Sequence, residues 1–279
     1  MTILTLSSQV LYGHVGNAVA DFALKRLGHT VIAVPTVVLS NHKGYSDAVG
    51  EVIGPDLLRD YFAALDRRGA LDTISAVQTG FIATSGQAQT IFDFLANLRT
   101  GKPDLPIIVD PVMGDKGRLY VEPTLVSLYR ERAPSLASLI TPNAFEAQTL
   151  AALETGTAAK LVTALRATGF AQGVITSAES LPDVAQGTGG DKALITFEAN
   201  GDKHDMIRHP GVVFPRDPNG VGDFVAALSA GLYGQGSLRA RTERITRALV
   251  VLLEATQARG LGELALVQAQ EQWVAALDN

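Results

Sequence analysis

The chain has 279 residues, 47% of them hydrophobic and 18% charged, with a formal net charge of −5. That composition supplies a buried core and argues against disorder, and the length suits one large α/β domain or two small ones. The acidic balance offers no basic surface for nucleic acid, the absence of cysteine excludes disulfides, thiolate metal sites and cysteine nucleophiles and fits a reducing cytosol, and no stretch approaches the ~20 apolar residues of a membrane span.

In chain order, strand-like and helix-like segments alternate. Met1–Leu6 is apolar but lacks the basic start and small-residue cleavage site of a signal peptide, and residues 3–6 read as a buried strand. Gly13 and Gly16 mark a loop, Asn17 caps a helical pattern running to Leu27, and Gly28 stops it. Residues 31–39 form a second apolar, β-branched run. Residues 74–80, 106–110, 138–140 and 173–176 predict further short strands, separated by helix-like stretches near 86–99, 122–132, 143–152 and 157–168. This alternation favours a parallel sheet covered by helices. Residues 192–198 and 203–214 are strand-like with no helix between them, and Gly201-Asp202 predicts a hairpin turn. Near the C-terminus Ile245, Ala248, Leu249, Leu252, Leu253 and Thr256 share one helical face. With no long linker, low-complexity segment or internal repeat, the expectation is a single domain over residues 1–279.

Polar and glycine-rich residues gather just after the predicted strands: Ser7-Ser8-Gln9, Ser40–Tyr45, Gly80-Phe81, Asp110–Asp115, Thr141-Pro142-Asn143 and Thr176-Ser177. Open parallel sheets bind ligands outside the carboxyl ends of their strands, so these segments are expected to share one rim. The most telling stretch is Gly220-Val221-Gly222-Asp223, followed by the apolar Phe224–Leu228. Its two glycines are expected to take backbone conformations other residues avoid. The free N–H groups of a helix starting here would converge on an anion such as a phosphoryl group in transfer. Asp223 sits where a general base must be to take a proton from an attacking hydroxyl; the plainer alternative is a glycine turn with Asp223 as helix cap. Asp110, Asp115 and Glu146 are hard oxygen ligands of the kind that suits Mg²⁺ bridged to nucleotide phosphates, usually through waters; the plainer alternative makes the first two turn formers and Glu146 a first-turn acid. None of the five histidines forms an i,i+4 metal pair. No Gly-x-x-x-x-Gly-Lys-Ser/Thr loop is present.

Together these motifs resemble the pyridoxal kinases of the ribokinase-like superfamily. The resemblance rests on Ser8–Asn17, Thr36 with Ser40-Asn41-His42, Thr79-Gly80-Phe81, Asp110–Asp115 with Gly117 and Leu119-Tyr120-Val121, Ile140–Ala147, Val174–Ser177 and Gly220–Asp223. It implies a three-layer α/β/α sandwich with a mostly parallel sheet and a small flap, formed by Ser40–Tyr45, over the active site. It also implies ATP-dependent phosphorylation of the 5′-hydroxymethyl group of pyridoxal, and often of pyridoxine and pyridoxamine. Asp223 would be the base, and the backbone of Gly220, Val221 and Gly222 the anion hole. Ser8, Thr36, His42, Lys43 and Phe81 would face the vitamer. Asp110, Asp115, Tyr120, Thr141, Asn143, Glu146, Thr176, Ser177 and Gly222 would serve ATP, with Asp110, Asp115 and Glu146 toward Mg²⁺. A monovalent cation, usually K⁺, a homodimer and a cytoplasmic location complete the implication. The chain departs from the family at Lys43, Val221 and Phe81, where Thr, Thr and Tyr are common, and over Leu153–Lys160, which looks short. Two alternatives are a hydroxymethylpyrimidine kinase with the same Asp223 chemistry and a non-catalytic vitamin B6 or nucleotide binding protein.

Overall fold

Unbroken apolar runs build the middle of the molecule, because strands buried on both faces need no polar alternation. In the computed structural model, which describes residues 1–42, 44–184, 190–199 and 203–278, the chain runs β1 (Thr2–Val10), α1 (Asn17–Arg26), β2 (Thr30–Leu39), β3 (Gly50–Val52), α2 (Pro55–Arg67), β4 (Ile74–Thr79), α3 (Ser85–Gly101) and β5 (Ile107–Val109). It continues with β6 (Gly114–Asp115), β7 (Arg118–Leu119), α4 (Pro123–Leu136), β8 (Leu139–Ile140), α5 (Ala144–Leu150), α6 (Ala158–Ala167) and β9 (Gln172–Ile175). It ends with β10 (Lys192–Glu198), β11 (His204–His209), α7 (Val221–Gly231), α8 (Leu238–Ala258) and α9 (Gln270–Ala275). One sheet has the order β11-β10-β9-β8-β5-β4-β1-β2-β3. Pairing is parallel from β2 to β9 and antiparallel at both margins. All the parallel strands therefore end on the same rim.

Alternate residues of each strand face two separate cores. Leu4, Leu6, Val77, Ile107, Val109 and Ile140 pack with α2 to α6. Ile3, Ala76, Ile108, Leu139 and Val174 pack with α1, α7, α8 and α9. This is the three-layer α/β/α arrangement expected. In the second layer Trp273 is fully buried, meets Phe224 edge-on at 5.3 Å and donates its indole N–H to the Leu266 carbonyl at 2.9 Å. Among the described residues no helix is long and apolar enough to cross a membrane.

Several expectations are refined. The first strand runs past residue 6 to Val10, carrying Ser7 and Ser8 inside it. The expected strand over 203–214 stops at His209, before Pro210. It pairs antiparallel with β10 as a hairpin should; Gly201 and Asp202 lie outside the described residues. Helix α2, strand β3 and the β6–β7 hairpin add to the expected elements.

Asn17 is not the cap of α1: Gly16 holds that position without a side-chain bond. The reason lies in β2. Pro35 stands opposite Ser7 and has no N–H to give, and the β1–β2 register shifts between Ser7 and Gln9. The fully buried Asn17 amide fills the gap, donating to the Ser7 and Val34 carbonyls at 3.1 Å each. Asn17→Ala would leave both carbonyls without this donor in the core. A loss of about 1–3 kcal/mol is expected, read from the urea midpoint at unchanged m-value.

Candidate active site

Helix α7 begins on the rim and is buried from Phe224 to Gly231, so its free end is held in place by the core. Gly220 is its N-cap at φ 88°, with no side-chain cap. The first closing bond is Phe224 N–H to the Gly220 carbonyl at 2.9 Å. The N–H groups of Val221, Gly222 and Asp223 thus have no partner inside the helix, which is the arrangement that receives an anion. A Cβ on Gly220 would lie 2.0 Å from the His14 carbonyl oxygen. The two glycines differ, contrary to expectation. Gly222 lies within the helix, and a Cβ there would meet nothing within 4 Å. Only Gly220 requires a left-handed conformation. Asp223 is not the helix cap but the first-turn acid.

Asp223 is half-buried. Enclosure of its carboxylate pushes its pKa up, and a hydrogen bond from the Gly16 N–H partly offsets this. Gly80 faces it: a Cβ on Gly80 would stand 3.8 Å from Asp223 Oδ1 and only 2.4 Å from Ser7 Oγ. The next peptide is fastened at both ends. Phe81 N–H donates to Ser7 Oγ at 3.2 Å, and Thr36 Oγ1 donates to the Phe81 carbonyl at 2.6 Å. Thr36 is therefore fully buried and positions Phe81, while Ser8 is buried and Phe81 half-buried beside it at the rim.

An acidic group lies within electrostatic reach of Asp223. Asp110 directly follows β5 and is 4% exposed. Burial raises its pKa well above the usual carboxylate range, and repulsion from Glu146 and Asp223 adds to that. Thr141 makes no well-formed side-chain hydrogen bond among the described residues, yet it stands near enough to favour ionised Asp110. Glu146 and Asn143 form a capping box at the start of α5, each side chain accepting from the other's N–H at 2.9 Å. Glu146 Oε1 also accepts from Met113 N–H at 2.9 Å, and Asn143 Nδ2 donates to the Gly114 carbonyl at 2.8 Å. These two residues thus anchor the β6–β7 hairpin to α5. Burial pushes Glu146 up to about 7 despite those backbone donors. Asp115 is exposed on the hairpin and accepts from Lys116 N–H at 2.8 Å. Tyr120, 55% exposed, has its phenol pushed up by burial and then by Glu146, Asp110, Asp115 and Asp223.

Asp110, Asp115 and Glu146 do not form a direct metal cage. Among the described residues no group of three or more His, Cys, Asp or Glu side chains is placed to hold an ion. The physical reason is that Glu146 is spent on backbone donors and Asp115 points to solvent. The donors nonetheless suit Mg²⁺ chemically: Asp110 is a buried hard-oxygen ligand whose charge is repelled by its neighbours and would be relieved by a cation. Thr176 and Asn143 meet in an isolated parallel bridge, and the exposed Ser177 follows at φ 53°.

The segment after β2 lies against the start of α7. Ser40 closes its base, donating N–H to the Val49 carbonyl at 2.7 Å and accepting the Val49 N–H on Oγ at 3.1 Å. His42 is buried, and its ring lies 4.6 Å from that of Tyr45. Lys43 lies outside the described residues. Arg216 donates to the Gly44 carbonyl at 2.6 Å and stands over the Tyr45 ring at 5.9 Å. Asn219 reaches His42 Nε2 at 3.4 Å. Arg216, Asn219 and Glu263 were not foreseen in the sequence, since no local pattern ties them to residue 42.

The chain has clear relatives. Residues 23–191 match the sequence model of the Phosphomethylpyrimidine kinase family. It is 34% identical to the pyridoxal kinase PdxY of Granulibacter bethesdensis, over 98% of this chain and 96% of that one. It is 35% identical to the pyridoxine/pyridoxal/pyridoxamine kinase of Bordetella pertussis, over 95% and 92%. The fold superposes with a TM-score of 0.87 and 26% identity on the pyridoxal kinase of Leishmania donovani in complex with ADP and pyridoxine, over 98% and 95% of the two chains.

The geometry leads to two expected outcomes. Gly220→Ala forces a Cβ onto the His14 carbonyl and is expected to cost about tenfold or more in kcat, or to destabilise the fold measurably, whereas Gly222→Ala keeps the parent's unfolding midpoint. Asp110→Asn removes a carboxylate whose folded pKa is raised. Such a group favours the folded state fully only below its unfolded pKa, and that contribution is lost as pH rises. The variant should therefore gain thermal stability over the parent at pH 8, gain less at pH 5, and lose activity at both.

Proposed function

This chain belongs to the pyridoxal kinase family, and on that footing we propose that it transfers the γ-phosphoryl group of ATP to the 5′-hydroxymethyl group of pyridoxal in vitamin B6 salvage, with pyridoxine and pyridoxamine as further substrates. The observation that carries the reading is the uncapped start of α7, with Asp223 in its first turn. The substrate hydroxyl oxygen attacks the γ-phosphorus, the bond to the β–γ bridging oxygen breaks, and ADP leaves with the electron pair. Asp223 takes the hydroxyl proton, and its raised pKa brings it nearer to working pH. The N–H groups of Gly220, Val221 and Gly222 hold the phosphoryl oxygens as charge moves onto them. The reaction needs little beyond positioning and charge stabilisation.

Ser8, His42 and Phe81 would bound the vitamer, Thr36 acting through Phe81. Tyr120, Thr141, Thr176 and Ser177 would flank the nucleotide. Asp110 would hold magnesium, with Glu146 and Asp115 acting through water; bound there, the ion neutralises phosphate charge. Asn143 would act by fixing the hairpin. A monovalent cation, a homodimer, a cytoplasmic location and one catalytic domain over residues 1–279 belong to the same reading.

A coupled assay across pyridoxal, pyridoxine, pyridoxamine and hydroxymethylpyrimidine tests it. Preference for hydroxymethylpyrimidine would move the chain to the alternative kinase, and turnover of none would make it a binding protein. Asp223→Asn keeps the side-chain shape but cannot accept the proton. It is expected to lose ~10²–10⁴-fold in kcat while binding ATP as the parent does. Near-parental turnover would refute the assignment of the base.

A further inference from the structure

Glu263 lies in the loop after α8, 221 residues along the chain from His42, and its side chain is only 12% exposed. The three residues after it set it in place. Leu264, Ala265 and Leu266 are fully buried, and the Ala265 N–H donates to Thr256 Oγ1 of α8 at 2.9 Å. Three separate groups converge on the Glu263 carboxylate. The Tyr45 hydroxyl donates to Oε1 at 2.8 Å, His42 Nε2 lies 3.1 Å from the same oxygen, and His14 N–H donates to Oε2 at 2.9 Å. Gly13 is pressed against it, since a Cβ there would lie 2.8 Å from Oε2. Burial alone would raise its pKa, but the donors from His14, Tyr45 and His42 outweigh that and hold it below the usual value, so the carboxylate is ionised where the site works.

We infer that Glu263 is a positioning residue that joins the two halves of the site, fixing His42 and Tyr45 on the vitamer side and the His14 peptide on the phosphoryl side. The His14 peptide makes the connection. Its N–H is held by Glu263, and its carbonyl lies against Gly220, leaving no room for a Cβ between them. Leu264, the next residue, closes on the same glycine: a Cβ on Gly220 would stand 3.3 Å from Leu264 Cδ1. One carboxylate therefore sets where the anion hole lies relative to the histidine above the substrate. Glu263 touches neither reacting group and acts through His14 and His42. The inference rests on the kinase reading above for its catalytic consequence, but not for the geometry itself.

The test uses the full chain and the variants Glu263→Gln, Tyr45→Phe and the double variant. Glutamine keeps the shape but offers one acceptor oxygen where His14 N–H and Tyr45 O–H need two. Loss of a charge-assisted hydrogen bond on this scale corresponds to about tenfold or more. Glu263→Gln is expected to lower kcat/KM for pyridoxal by that factor, through a lower kcat and a higher pyridoxal KM, with the ATP KM within about twofold. A residue serving only stability would leave that split untouched. The double variant should be no worse than Glu263→Gln alone, because both changes break the same link. In the ligand-free protein, Glu263→Gln should speed amide exchange at His14 and over residues 44–49, and leave the interior of α7 unchanged. A kcat/KM within twofold of the parent, or full additivity with Tyr45→Phe, overturns the inference. If the parent phosphorylates no substrate, the kinase reading fails instead, and exchange decides the matter: unchanged rates at His14 and residues 44–49 overturn the role of Glu263. Should Glu263→Gln not fold, Tyr45→Phe alone must speed exchange over 44–49 and raise the pyridoxal KM, and parental values for both overturn it.

Discussion

The carbonyl of His14 and the α-carbon of Gly220 approach so closely that no side chain fits between them. The geometry of the site depends on that contact. It excludes any residue but glycine ahead of α7, where Gly220 stands in the left-handed conformation as the N-cap. It also brings the β1–α1 connection over the helix start, where the Gly16 N–H meets Asp223. The contact is held from behind by packing. The apolar run from Phe224 is sealed under α1, α8 and Trp273, so the helix cannot retreat from the loop without opening a core.

Against that rigid frame the acidic side of the site is held in tension. Glu146 and Asp223 lie close enough to Asp110 to raise its pKa, and burial acts in the same direction on all three. A fold selected for stability alone would not gather them. Glu146 offsets its own burial through backbone donors, and in doing so ties the β6–β7 hairpin to α5. Asp110 has no such compensation of comparable strength. A cation brought to it would relieve that repulsion.

Much of this was legible in the residues. The parallel strands announce themselves as short β-branched runs, and Gly220–Asp223 followed by an apolar stretch marks the start of α7. Asn143 and Glu146 show the spacing of a capping box, Asn-x-x-Glu, yet their chemistry suits a ligand set equally well; only the backbone donors around Glu146 separate the two. Gly222 could not be told from Gly220, because a motif names residues and not dihedral angles. Asn17 looks like a cap until Pro35, on a different strand, is seen to leave carbonyls in need of a donor. Helix α2 was harder to see: it buries only Leu58 and Phe62 among many exposed residues, so its apolar signal is thin. Glu263 sits in an unremarkable loop, and its role exists only because the fold returns it to the loop after β1.

The second core layer also has a consequence for how the protein comes into being. Synthesis proceeds from the N-terminus, so β1, β4 and β5 and the helices between them emerge with their partners nearby and can associate as they appear. Helix α7 emerges later, but the residues that complete its packing, Leu264 to Leu266 and Trp273, come about forty to fifty positions behind Phe224. Until they leave the ribosome, Phe224 lacks its edge-on contact with Trp273, and Glu263 cannot reach His14, His42 or Tyr45. The nascent chain therefore carries a nearly complete sheet and an unassembled site.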